Sequence, residues 1–143
     1  MRDEAGGLTG PGIMLLSALI FAFFGFVIGW ITQDANGRTL LFMVLWVWTL
    51  RISAVVFAAS AVITFIKPVI GNLLYALTGV VGAGLFVVIA VMDIADTEHT
   101  VMAYGPVILV LFAVWNGYGS WSALRGVLAG RGRAAVGDAR SEP

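Results

Sequence analysis

Four long stretches almost free of charge constrain this chain more than any other feature. Gly12 to Ile31 covers 20 residues, and Pro68 to Met92 and Thr100 to Leu124 cover 25 each, all without a charged side chain. Leu40 to Ile66 adds 27 residues broken only by Arg51. A hydrocarbon core about 30 Å thick needs about 20 apolar helical residues to cross it. Lipid offers the backbone no hydrogen-bond partners, so a spanning segment must bond within itself. Runs such as Ile13 to Ile31 show no apolar/polar alternation, which argues against strands. The expected fold is an all-α integral membrane protein, a bundle of four transmembrane helices with short loops. The expected spans are 12–31, 40–66, 68–92 and 101–125, within a membrane domain covering 12–129.

Composition agrees. Only 11% of the residues are charged and 60% are hydrophobic, whereas soluble domains carry about 25% charged residues. A small water-soluble domain cannot bury so much apolar surface. This excludes an ordinary soluble enzyme and a nucleic-acid binder. There is no cysteine, so thiolate metal sites, disulfides and cysteine nucleophiles are excluded too.

The connectors carry turn chemistry. Thr32 to Thr39 holds Asp34, an Asn-Gly pair and Arg38, and Lys67-Pro68 breaks the second apolar run. Asp93 to His99 reads as a compact polar loop. Residues 1–11 and 130–143 read as disordered cytoplasmic tails, rich in Gly, Arg, Ala and acids. The leader MRDEAGG lacks the basic character and cleavage site of a signal peptide, so the first span is expected to be retained.

With four spans, both ends of the chain share one side with the Lys67 turn. That side holds Arg2, Lys67, Arg125, Arg131, Arg133 and Arg140, and the other only Arg38. Cytoplasmic loops carry the excess of Lys and Arg, so both termini are expected in the cytoplasm, most simply at a bacterial cytoplasmic (inner) membrane. Arg131 and Arg133 are then topology signals, not a nucleic-acid patch. Trp30 and Tyr104 are expected near one interface, Tyr75 and Trp121 near the other.

Small residues predict where helices pack, because lipid gives apolar helices no hydrophobic reason to associate. The candidates are Gly25 and Gly29 in the first span, Ala54 and Ala58 in the second, and Gly79 and Ala83 in the third. Packing within one bundle is the expected use. A homodimer seam at Gly25/Gly29 is the sharper alternative.

Arg51 is the one charge within an apolar run. It lies about 16 Å from Leu40 and about 22 Å from Ile66 at 1.5 Å per residue. One reading turns it inward, on the side of Ala54 and Ala58 and near Trp48 for a cation–π contact. Depth matching then places Ser17, Arg51, Thr78 and Asn116 in one intramembrane polar layer, the candidate binding residues. That layer lacks a carboxylate, so a nearby acid, a partner protein or an anion would have to compensate the arginine. The other reading starts the span near Trp46 and lets Arg51 snorkel to the surface beside Trp46 and Trp48.

Asp93, Asp96 and His99 are weak metal-ligand candidates, since clustered acids with a histidine suit divalent ions. Their position at a helix end favours a solvated loop. No cofactor is expected. The four-span plan is similar in size to small multidrug-resistance transporters and small fluoride channels. The first span lacks the glutamate of the former, and the signature residues of the latter are absent.

Three functions follow in order. The first is a non-catalytic accessory or scaffold subunit of a membrane complex, with the lipid bilayer and a membrane-protein partner or second copy as its contacts. The second is a small homodimeric channel or transporter with an anion path at Arg51. The third is a membrane enzyme, for which only the Asp93/Asp96/His99 loop offers groups.

Overall fold

The computed structural model describes residues 10–34, 41–95 and 105–139. They form four helices: α1 (Pro11–Asp34), α2 (Leu41–Ile66), α3 (Pro68–Ala95) and α4 (Gly105–Ala139). Each contains a stretch long and apolar enough to cross a membrane: Pro11–Ile31, Met43–Ile66, Pro68–Ala95 and Gly105–Gly130. Consecutive helices pack against each other. Contacts such as Gly25 with Arg51 and Gly29 with Val47 show antiparallel neighbours. Below, the terminal end is the one holding Pro11, Ile66, Pro68 and Gly130. The far end holds Asp34, Leu41, Ala95 and Gly105.

The helix starts follow local chemistry. Gly10 caps α1, its carbonyl accepting from the N–H of Ile13 (3.1 Å) and Met14 (3.4 Å). Pro11 and Pro68 occupy first helical positions, where a missing N–H costs nothing. One residue, Lys67, separates α2 from α3. Its N–H donates to Ile63 O at 2.7 Å, and its carbonyl accepts from the Gly71 N–H at 3.0 Å. The reversal is so tight that a Cβ on Gly71 would lie 2.7 Å from the Thr64 nitrogen and 2.8 Å from the Ser60 carbonyl oxygen. Glycine is required there for space.

Two boundaries differ from the sequence reading. The polar loop expected from Asp93 does not start there, because α3 continues to Ala95 and buries Asp93 to 8% exposure, and the rest of the expected loop lies outside the described residues. The tail expected to be disordered from residue 130 is helical to Ala139. Alanine and arginine favour the helix, and growth from a helix already nucleated in the bundle offsets the cost of Gly130, Gly132 and Gly137.

Phenylalanines fill the centre. The ring of Phe21 meets Phe57 at 5.2 Å, Phe112 at 4.9 Å and Phe86 at 6.0 Å, all edge-to-face, and Phe86 stacks on Phe112 at 5.5 Å. One ring from each helix thus closes the bundle axis. Such pairs favour offset and T-shaped geometry because the ring face is negative and the edge positive. The outer faces are equally apolar, with Leu19, Phe26, Val55, Val81 and Leu111 among the exposed side chains.

Candidate functional site

The polar layer expected at one depth separates into distinct places. Ser17 joins three helices. Its hydroxyl hydrogen-bonds with the Tyr75 hydroxyl at 3.1 Å and accepts from Trp115 Nε1 at 3.2 Å. Tyr75 is only 2% exposed, so it is a core residue and not the interfacial aromatic expected from its position. Gly119 makes room for it: a Cβ there would lie 2.7 Å from the Tyr75 hydroxyl oxygen.

Asn116 belongs to a second place, in the seam between α3 and α4. Its Nδ2 donates to Phe112 O at 2.7 Å, and its own carbonyl accepts from Ser120 Oγ at 2.7 Å. Its Oδ1 is buried and has no hydrogen-bond partner. A methyl group on Gly82 would sit 3.4 Å from that oxygen and 3.7 Å from Ser53 Oγ. An unsatisfied buried acceptor costs about 1–3 kcal/mol. Thr78 lies elsewhere again. It turns its hydroxyl back onto Leu74 O at 2.8 Å and lines the outer surface between α2 and α3.

Arg51 faces outward and lies in none of these places. The side chain runs along α1 over the expected glycine pair. A Cβ on Gly25 would be 3.2 Å from its Cγ, and one on Gly29 would be 2.7 Å from its Nη2. The stem therefore crosses Gly25 and the guanidinium reaches Gly29, toward the far end. Its Cζ stands 6.0 Å from the centre of the Trp48 ring, the expected cation–π contact at the edge of its range. This outward course corrects the inward reading. Ala54 is buried and Ala58 half-buried, but Arg51 is offset from Ala54 by about 60° around the helix axis. That offset carries it out of the core to the edge facing α1. Trp46, expected beside it at the surface, is instead buried, with Nε1 unpartnered.

At Gly25 and Gly29, the expected packing pair, α2 of the same chain contributes Leu50, Val47 and Arg51. Gly79 packs as expected, against Ser120 and the Asn116 carbonyl of α4, and Ala83 is half-buried beside it. Of the weak metal candidates, Asp93 is a buried helical residue, whereas Asp96 and His99 lie outside the described residues. Among the described residues, no three His, Cys, Asp or Glu side chains cluster.

Sequence reasoning missed one further feature. A cleft of about 480 Å³ opens between α2 and α3 on the outer face, lined by Trp48, Thr49, Ile52, Ser53, Val56, Leu77, Thr78, Gly82 and their neighbours. The wall is almost wholly apolar, because Thr49 and Thr78 donate to carbonyls of their own helices. A clue existed in Thr49/Ser53 and Thr78/Gly82, small or hydroxyl residues four apart on two consecutive helices. Such residues leave a furrow wherever the helices diverge. No known protein family, curated protein or solved structure matches the chain.

Proposed function

We propose that the protein is a non-catalytic accessory or scaffold subunit of a membrane complex, acting through its outer surface. The observation that carries this is the phenylalanine cluster, Phe21, Phe57, Phe86 and Phe112, which fills the bundle axis from all four helices. A bundle interior given over to packed rings offers no polar route for an ion. The polar side chains around it bond mainly to their own helices or to the Ser17/Tyr75/Trp115 node. The broad apolar exterior is left to meet lipid and partner helices, through shape and van der Waals packing.

The rival proposal, an anion path at Arg51, draws less support. Arg51 is exposed over Gly25 and Gly29 of α1, whereas Asn116 is buried against Gly79 and Gly82 of α3. The two do not line one surface. We place the protein in a bacterial cytoplasmic membrane with both termini cytoplasmic, on the strength of the basic residues at the terminal end. The chain has no cysteine, so single cysteines introduced at Gly37 and Gly137 allow a clean labelling test. Only the first should react with an impermeant reagent added outside cells.

The functional test is solubilisation of native membranes in a mild polymer, followed by mass spectrometry of the tagged full chain. A stoichiometric membrane-protein partner is expected. Recovery of the chain alone, together with anion flux from liposomes holding pure protein, would replace the scaffold reading with the channel one.

A further inference from the structure

We infer that the far-end face of α1 and α2 is a binding site for one anionic phospholipid, with its phosphate on Arg51 and an acyl chain in the α2/α3 cleft. Four observations converge. The first is the cation. A guanidinium presents five donors in a planar fork that matches phosphate geometry, and this one is exposed and held by its stem against Gly25 and Gly29.

The second is depth. Gly29, where the guanidinium ends, is about 3 Å from Ile31, the last residue of the apolar span of α1, and Val47, level with it on α2, is about 6 Å from Met43, the first of the α2 span. Headgroup phosphates lie just beyond the hydrocarbon boundary, within reach of a guanidinium that snorkels from a few ångströms inside it. Trp48 (55% exposed) lies beside it and Trp30 (64% exposed) follows Gly29 in α1, and tryptophan favours this interfacial level.

The third is continuity. The Trp48 ring that the guanidinium approaches also lines the cleft, as does Ile52, the residue following Arg51. A molecule held at Arg51 passes over Trp48 directly into the cleft. The fourth is length. The cleft runs along α2 from Leu45 to Val56, which is about 16 Å. That is half of a hydrocarbon core about 30 Å thick, the depth of one leaflet. A charged group at the boundary with a leaflet-deep apolar furrow leading inward matches a lipid. An acidic helix of a partner protein would account for the charge and leave the furrow unexplained.

The test is native mass spectrometry of the full chain, exchanged into micelles containing equal phosphatidylglycerol and phosphatidylcholine. One phosphatidylglycerol per chain is expected to survive detergent stripping, with preference over phosphatidylcholine. Arg51→Met keeps the stem over Gly25 and removes the charge. It should lower retention roughly tenfold, as loss of a charge-assisted hydrogen bond predicts, and Arg51→Lys should restore part of it. Leu77→Trp, which fills the cleft from an exposed position, should weaken phosphatidylglycerol retention with Arg51 intact. Helical circular dichroism and elution volume confirm that each variant is folded.

Equal retention by wild type and Arg51→Met would overturn the proposal. So would competition by millimolar glycerol phosphate, which lacks the chains and would mark a simple anion site. Capture of an acidic membrane protein by wild type but not Arg51→Met, with lipid retention unchanged, would assign Arg51 to a protein contact instead. The scaffold proposal stands or falls separately, on whether a stoichiometric partner is recovered.

Discussion

In the seam between α3 and α4, Gly79 lets α4 approach so closely that a Cβ would collide with Ser120 Oγ and lie 3.0 Å from the Asn116 carbonyl oxygen. In the seam between α1 and α2, Gly25 and Gly29 leave a trough of similar origin, but a long charged side chain lies in it. The first seam is backbone against small polar side chains, buried and rigid. The second is backbone against the flexible stem and head of Arg51, at the edge of the bundle. Small residues create space in both, and the neighbouring helix determines what fills it. Where the filler is a short side chain with backbone behind it, a methyl group has nowhere to go. Where the filler is the end of an arginine, it moves aside.

This contrast can be broken by substitution, with unfolding in detergent as the measurement. The largest effect is expected for Gly79→Ala, a loss of about 3 kcal/mol, the upper range for overpacking against atoms that cannot shift. Trimming Ser120 to alanine in the same chain should recover part of that loss, leaving the Asn116 carbonyl contact. Unchanged stability in Gly79→Ala would mean that the α3/α4 seam is looser than described. Tyr75→Phe comes next, at about 1 kcal/mol, since interhelical hydrogen bonds in membranes contribute about 0.6–2 kcal/mol. A loss well above that would show that Tyr75 and Ser17 act with Trp115 as one coupled node.

Gly29→Ala should cost less than 1 kcal/mol, because only the Arg51 head lies within 3.0 Å and an exposed rotamer change costs little. Its visible effect should be on the guanidinium, lowering phosphatidylglycerol retention while the unfolding midpoint barely moves. A stability loss matching that of Gly79→Ala would erase the distinction between the seams. The smallest effect is expected for Asn116→Leu, within about 1 kcal/mol of zero. It gives up one bond to Phe112 O and removes an unsatisfied oxygen, and trading a partly satisfied polar group for an apolar one is nearly neutral. Marked destabilisation would show that Asn116 Oδ1 has a bound partner in the membrane.

Particular residues show how much was legible in advance. The four helices were readable from their uncharged runs, and α2 and α3 begin or end within three residues of the expected limits. Gly79 was readable as a packing residue, and so was the approach of Arg51 to Trp48. The direction of Arg51 was not. In a soluble helix the polar face marks the outside, but here Leu19, Val55 and Val81 are exposed and Phe21, Leu50 and Phe86 buried. Hydrophobicity therefore gives no orientation about the helix axis. Depth matching also failed for Ser17, Thr78 and Asn116. Residues at one level still point around a full circle, and three of them point to different neighbours.

The sequence by itself determined the four apolar runs, the limits of α1, α2 and α3 to within three residues, and their suitability for a membrane. Those follow from the cost of placing charge and unpaired backbone in hydrocarbon, which each residue incurs locally. Only the tertiary structure decided that phenylalanines close the axis, that Tyr75 is core, and that Arg51 lies outside over the glycines of α1. Those outcomes depend on how far each helix is rotated, and rotation is set by the fit of side chains between helices, which no single segment encodes.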